Sequence, residues 1–218
     1  LVDIFDEVSE DLRNERAMAL ARRYGALLIL LLLLVLAGVG GQQAWTWYQT
    51  KQNNRAANSY IALTAPLTPT LTAAQSQADA VALTNFAASA PEGYKTLAVL
   101  RAAGLYANAG QVPQAEGLWD SVANDSSADP LLRDLANLLW AQHALGQAPD
   151  ADVLARLQPL AQDQNPYHGL ARETQALLYL HEGKNDQAKA LFSQIASDPN
   201  SPDEVRNRAD GLLAKLNG

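Results

Sequence analysis

The chain has 218 residues, 48% of them hydrophobic, with no cysteine, three histidines and a formal net charge of −7. Without sulfur there is neither a disulfide framework nor a thiolate zinc site. Six basic and six acidic residues lie up to Arg55, so ten of the 16 basic and 17 of the 23 acidic residues follow it, an excess of acid that leaves no basic footprint for nucleic acid.

The first 23 residues include DIFDEVSEDLRNERAMALARR, where Ile4, Val8 and Leu12 recur every four residues among acidic neighbours. This spacing predicts a short helix with one apolar stripe. Such a helix docks on a partner or lies beneath a membrane, although its acidic residues suit lipid headgroups poorly.

From Tyr24 to Gly41 there are 18 residues without a charge or an amide side chain. As a helix they cover about 27 Å, close to the roughly 30 Å of a bilayer's hydrocarbon core. Arg22, Arg23 and Tyr24 precede the block, and Trp45, Trp47 and Tyr48 follow it, as cationic and aromatic belts flank a spanning helix. A cleaved signal peptide fits less well, because the acidic leader is not a short basic one and no Ala-x-Ala site follows. A permanent transmembrane helix is therefore expected over residues 24–45. Arg13, Arg16, Arg22 and Arg23 stand before it against Lys51 and Arg55 soon after it, which predicts a cytoplasmic N-terminus, residues 1–23, and a translocated tail. Ala37 and Gly41, or Gly40 and Ala44, make small-x-x-x-small pairs that allow close helix packing in a bilayer; ordinary transmembrane glycine is the alternative.

Residues 46–90 are expected to form a juxtamembrane helical linker and a degenerate first repeat. The spanning helix continues outward to about Ile61, Pro66 and Pro69 break it within LTAPLTPTLT, and a further helix covers Thr72 to Ala88, with Ala78 or Ala80 and Phe86 at its contact positions.

Beyond this point the chain is rich in alanine and leucine and lacks the alternating β-branched pattern of strands. Pro91, Pro130, Pro166 and Pro202 are 39, 36 and 36 residues apart. The last three follow Asp129, Asn165 and Ser201, so each predicts a helix start with an N-cap and proline in the first turn, and Ser201 with Glu204 has capping-box spacing. Gly110, Gly146 and Gly183 are 36 and 37 apart, each where one helix ends and a tight turn begins. Five residues after each glycine stands Ala115, Ala151 or Ala188; nine after it stand Trp119, Ala155 and Phe192; four before it stand Tyr106, Gln142 and Tyr179. The unit is a pair of antiparallel helices with a small contact residue and an aromatic filler.

This pattern resembles the tetratricopeptide repeat, most clearly in Tyr106, Gly110, Ala115, Trp119 and in Tyr179, Gly183, Ala188, Phe192. The middle copy keeps Gly146 and Ala151 but has lost both aromatics. The expected fold is all-α: one N-terminal transmembrane helix, a helical-hairpin solenoid over 91–201, and a capping helix over 202–218 that covers the last apolar face.

The charged N-terminus, the span ending in Gly and Trp, and the alanine-rich repeat tail together resemble the YfgM-like family of bacterial inner-membrane proteins, with DIFDEV and RRYG most like α-proteobacterial versions. The resemblance implies a periplasmic domain associated with the Sec translocon, acting with the membrane-anchored chaperone PpiD on proteins leaving the channel. It brings no catalytic residues and no cofactor.

The residues themselves point the same way. His143, His168 and His181 are separated by 25 and 13 residues, unlike a metal-binding His-Glu-x-x-His, and no nucleophile elbow or phosphate loop occurs. In stacked helix pairs the first helices line one face, which nominates Asn108, Arg133, Trp140, His143, Glu173 and His181 as a protein-binding groove. Trp140 has two readings, a groove hot spot or a core filler. The expected function is a non-enzymatic, membrane-anchored protein-binding module. A scaffold for another envelope machine, such as cytochrome c maturation or outer-membrane assembly, keeps the same fold; a carboxylate-based hydrolase is the rival of a different class.

Overall fold

A computed structural model describes residues 3–68 and 70–217, and their side chains apart from 3–17, 19–21 and 28. Pro69 and the side chains of Ile4, Val8 and Leu12 therefore lie outside the described residues. The fold is all-α: among the described residues there are nine helices and no strand. By their internal contacts, Leu1–Arg55 and Ala56–Gly218 are separate units.

Helix α1, Asp3–Thr64, contains no proline, and leucine and alanine dominate its apolar stretch, so nothing interrupts its backbone hydrogen bonds. In the first unit the described side chains from Ile29 to Tyr48 are all exposed. Arg22–Thr64 is long and apolar enough to cross a membrane. At its flanks the Arg23 guanidinium lies 5.8 Å from the Tyr24 ring centre and the Lys51 ammonium 4.8 Å from that of Trp47. These are the pairings of rings and cations that suit a headgroup layer. Ala37 and Gly41 are exposed on this helix.

The second unit begins inside α1. Tyr60 and Leu63 pack on the cluster of Ala80, Leu83, Ala87, Ala98, Ala102 and Leu105, which helix α2, Ala73–Ala87, shares with the helix that follows it. A turn at Ala65–Pro66 ends α1, since proline supplies no N–H to continue it. Thr72 then caps α2 in a full capping box: the Gln75 N–H donates to Thr72 Oγ1 at 3.3 Å and the Thr72 N–H to Gln75 Oε1 at 2.9 Å. Ala80 is the buried contact alanine, while Ala78 is exposed.

Three helix pairs follow. They are α3 (Glu92–Asn108) with α4 (Val112–Ala123), α5 (Pro130–Ala144) with α6 (Asp150–Leu160), and α7 (His168–His181) with α8 (Asn185–Ser197); α9 (Asp203–Asn217) closes the stack. Each helix packs on its sequence neighbour from α2 onward, and α3, α5, α7 and α9 also touch in succession. Asp129 caps α5 by accepting from the Leu131 N–H at 2.8 Å. Two starts differ from expectation. Helix α7 begins at His168, two residues after Pro166, because Asn165 Oδ1 accepts from the Tyr167 N–H and its carbonyl from the His168 N–H, making a turn before the helix. Ser201 does not form a capping box; its hydroxyl donates to Asp198 Oδ2 at 3.1 Å.

Gly110, Gly146 and Gly183 have φ of 76, 72 and 75°, and they are the only positive-φ residues among those described. At Gly110 and Gly183 the chain makes the 6→1 bond of a glycine C-cap, Gln111 N–H to Tyr106 O and Lys184 N–H to Tyr179 O, both 2.8 Å. A side chain in this conformation costs about 1–2 kcal/mol. Gly183→Ala is therefore expected to destabilise the domain by about that amount, whereas Gly211→Ala, inside α9 with open space around it, is expected to stabilise it by about 0.5–1 kcal/mol. Urea unfolding of the two variants measures this difference in sign.

The middle pair is built differently. After Gly146 comes an extra stretch, Gln147–Pro149, so α6 starts four residues beyond its glycine, whereas α4 and α8 start two beyond theirs. Leu145, with φ −54° and ψ 121°, and Gly146 are the two central residues of a turn closed by the Gln147 N–H on Ala144 O at 2.9 Å. The two-residue delay turns Ala151 and Ala155 outward, both exposed. Val153 and Leu157 are fully buried in their place, as Ala115 with Trp119 and Ala188 with Phe192 are in the flanking pairs.

Candidate functional site

First helices touch first helices in this stack, while among the described residues no second helix touches another second helix. The row α3, α5, α7 is thus the close-packed side, and its side chains are brought onto one face. Residues spaced by three, four or seven on α3 share that face. They include Arg101, Gly104 and Asn108, and they meet Leu139 and His143 of α5 around a cavity of about 430 Å³. Leu67 and Thr68, from the turn after α1, form one wall, and Trp119 of α4 contributes to the floor.

The cavity has a defined polarity. His143 Nδ1 is 2.9 Å from Leu139 O, and its ring lies 4.6 Å from the Trp119 ring, tilted by 37°. Trp119 is fully buried, and among the described residues its Nε1–H has no acceptor. Asn108 and Arg101 are exposed at the rim. Among the described residues no carboxylate lines the cavity.

Of the six groove residues nominated from sequence, Asn108 and His143 come together here. Trp140 is turned into the core, 8% exposed, with the Arg156 guanidinium 3.8 Å from its ring centre; Arg156 also reaches Asp120 at 2.6 Å and Asn137 at 3.3 Å. A ring so covered is a packing element on the α6 side. Arg133 is half-buried in the first turns of α5, its Nε without an acceptor. Glu173 is buried and held in a two-bond pair by Arg208 of α9 at 2.8 and 2.7 Å, which raises the Arg208 pKa and fastens the capping helix to the row. His181 is exposed at the end of α7, its ring about 3.5 Å from where a Cβ on Gly146 would stand. Tyr106 and Tyr179 are half-buried beside the turn glycines.

A second depression, of about 590 Å³, lies toward the N-terminal ends of the same helices, between Tyr94 and Leu97 of α3 and Leu131 and Leu132 of α5, with Tyr167 at its edge. Leu97 and Leu131 are exposed. Burial, followed by the charges of Asp134 and Asp129, pushes the Tyr167 hydroxyl above its usual pKa of 10.0, so it stays a neutral donor and acceptor.

Among the described residues no three histidine, aspartate or glutamate side chains gather as a metal ion requires. The three histidines occupy separate surroundings: His143 on Trp119, His181 by Gly146, and His168 between Asn165 O at 2.7 Å and Asp198 at 2.8 Å. Arg101 and the Leu67–Thr68 wall were not nominated from sequence. Arg101 was legible as the residue seven before Asn108, but the wall depends on how the turn after α1 packs, which no local pattern encodes.

The sequence profile of the family described as tetratricopeptide repeat-like domain matches residues 21–215. No curated protein and no solved structure matches the chain.

Proposed function

Because the chain belongs to the tetratricopeptide repeat-like domain family, whose members commonly bind other proteins, we propose that it is a membrane-anchored, non-enzymatic protein-binding module of the bacterial inner membrane, ancillary to the Sec translocon and a PpiD-like periplasmic chaperone. The observation that carries the binding role is the face of α3 and α5, where a largely apolar depression and a polar-rimmed cavity stand open side by side. The apolar part of α1 supplies the anchor, and the greater number of arginines before it supports a cytoplasmic N-terminus with the repeats in the periplasm. The layout shared with YfgM-like proteins supports the translocon as the partner, and the acidic repeat unit argues against nucleic acid.

In-membrane crosslinking, gentle detergent extraction and mass spectrometry test the assignment. The expected result is recovery of translocon subunits with a periplasmic chaperone, reduced at least fivefold by Asn108→Arg at the cavity rim. Recovery of a different envelope complex instead would make the protein a scaffold for that machine. Digestion of the repeat unit by protease added to the cytoplasmic side of intact membranes would overturn the topology.

A further inference from the structure

His168, at the start of α7, faces an acceptor with each of its ring nitrogens. Nδ1 lies 2.7 Å from Asn165 O and Nε2 lies 2.8 Å from Asp198 Oδ2. A carbonyl oxygen cannot donate, so Nδ1 must carry a hydrogen. Asp198 already accepts from the Asn200 N–H at 2.9 Å and from the Ser201 hydroxyl at 3.1 Å, contacts that suit a carboxylate. The Asn200 amide, opposed by burial and aided by His168 and Ser201, also holds its carboxyl below the usual value. An ionised carboxylate only accepts, so Nε2 must carry a hydrogen as well. The imidazolium alone has both. At 5% exposure the ring has no water to take the place of either oxygen.

The other charges around the joint have partners of their own. Asp163, in the loop before α7, meets Arg172 of α7, and on α9 Asp203 meets Arg206, which also donates to Ser201 O at 2.7 Å. Arg172 Nη1 stands 3.6 Å from Asp198, beyond a hydrogen bond. Asp134 of α5 accepts from the Asn165 side chain at 2.8 Å, and Arg156, the one cation of α6, is taken by Asp120. On α8, Asp186 and Lys189 lie nine or more residues before Asp198, about 13 Å or more along a helix. Tyr167, the preceding residue, stays neutral, because burial and then the charges of Asp134 and Asp129 push its hydroxyl above the usual 10.0. Among the described residues, His168 is thus the one cation-forming group within hydrogen-bond distance of Asp198.

We propose that this joint is a proton-operated latch: His168, charged in the folded protein, clamps the loop between α8 and α9 onto α7, and loss of its proton opens that loop and the first turn of α9. A neutral ring leaves one nitrogen lone pair facing an oxygen, a buried repulsion that no solvent relieves. Val205, in the turn that opens, shares the apolar cluster of Phe192 and Ile195, so release uncovers the end of the stack. Glu173 and Arg208 hold the next turn of α9, and neither titrates near neutral pH. The folded joint binds a proton that an unfolded histidine has released above about pH 6.5. By linkage the clamp is complete below that pH and is lost as the pH rises through the point where the folded ring gives up its proton. The latch operates whatever partner the chain binds.

Two measurements on the full chain in detergent micelles test it. In protein labelled with ¹⁵N-histidine, the His168 ring is identified by elimination, using His143→Gln and His181→Gln. Both of its nitrogens are expected to carry protons at about pH 7.5, where the histidines of the urea-unfolded chain are mostly neutral. The second readout is hydrogen exchange by mass spectrometry, taken as the protection of residues 199–206 relative to α4, a ratio from which the common effect of pH on exchange cancels. That ratio is expected to fall about tenfold between about pH 6 and about pH 8.5, and to stay constant in His168→Gln. A bare His168 nitrogen at about pH 7.5, a constant ratio in the wild type, or a fall that persists in His168→Gln would each overturn the proposal. The nitrogen readout uses only substitutions outside the joint, so it decides the outcome even where His168→Gln fails to fold.

Discussion

Trp119→Ala is expected to destabilise the repeat unit by about 3–5 kcal/mol, the range for deleting a buried aromatic side chain. Trp119 is fully buried in the cluster that joins α3 through α7, beside Leu100, Ala103, Ala136 and Leu138. Ala115, one turn earlier on α4, is also fully buried, so α4 already lies close to its neighbours and little can move in to fill the void. The lost volume would merge with the neighbouring 430 Å³ cavity, admitting water to an apolar wall. Trp119→Phe should cost far less, because it keeps most of the packing and removes an indole N–H that has no acceptor among the described residues. Each pair in a solenoid contacts only its neighbours, so the damage centres on the α3 to α5 junction. Urea unfolding followed by circular dichroism gives the values. A loss below about 1 kcal/mol for the alanine variant would mean that the ring is not a load of the core.

The first and last full pairs were legible because one residue type did one job at each offset. Gly110 and Gly183 take the positive φ that other residues resist, and Trp119 and Phe192 fill the space that Ala115 and Ala188 leave. The middle pair misleads for a physical reason. Gly146 keeps its place and Ala151 stands at the customary offset, but the added Gln147–Pro149 stretch delays α6 by two residues, enough to rotate a helix by about 200°. Val153 and Leu157 then face inward. The local signal was Pro149 followed by Asp150 and Asp152, a helix start with acid in its first turn. The candidate site divides in the same way. Asn108 and His143 follow from their distance to a turn glycine. The burial of Trp140 depends on Arg156 from the neighbouring helix, and the Leu67–Thr68 wall on tertiary approach, so neither has a periodic signature. The long apolar N-terminal helix was the easiest element to recognise, since length and the absence of charge alone define it.

Asp198→Ala is expected to cost about 1–3 kcal/mol at neutral pH, the penalty for leaving buried donors without their acceptor. Asp198 stands between α8 and α9 and accepts from three directions: His168 Nε2 at 2.8 Å, Ser201 Oγ at 3.1 Å and the Asn200 N–H at 2.9 Å, with Arg172 Nη1 at 3.6 Å. His168 and Arg172 are only 5% and 7% exposed. Without the carboxylate the Arg172 guanidinium keeps only its Asp163 partner, which lies mostly in solvent, and one imidazole nitrogen loses its acceptor. Gly169 tightens the same joint, because a Cβ there would stand 2.6 Å from Ser201 Oγ. The Asn200 amide is the largest influence holding the Asp198 carboxyl below its usual value of 3.8, opposed by burial and aided by His168 and Ser201. A folded-state pKa below the unfolded one stabilises the protein above pH 3.8 and ceases to do so as pH falls through the folded value. The stability gap between wild type and Asp198→Ala, read from urea unfolding, should therefore be full at pH 7 and narrow progressively below about pH 4. A gap of the same size at pH 2 as at pH 7 would assign the residue's contribution to packing, and the joint between the last helix pair and its cap would then not depend on charge.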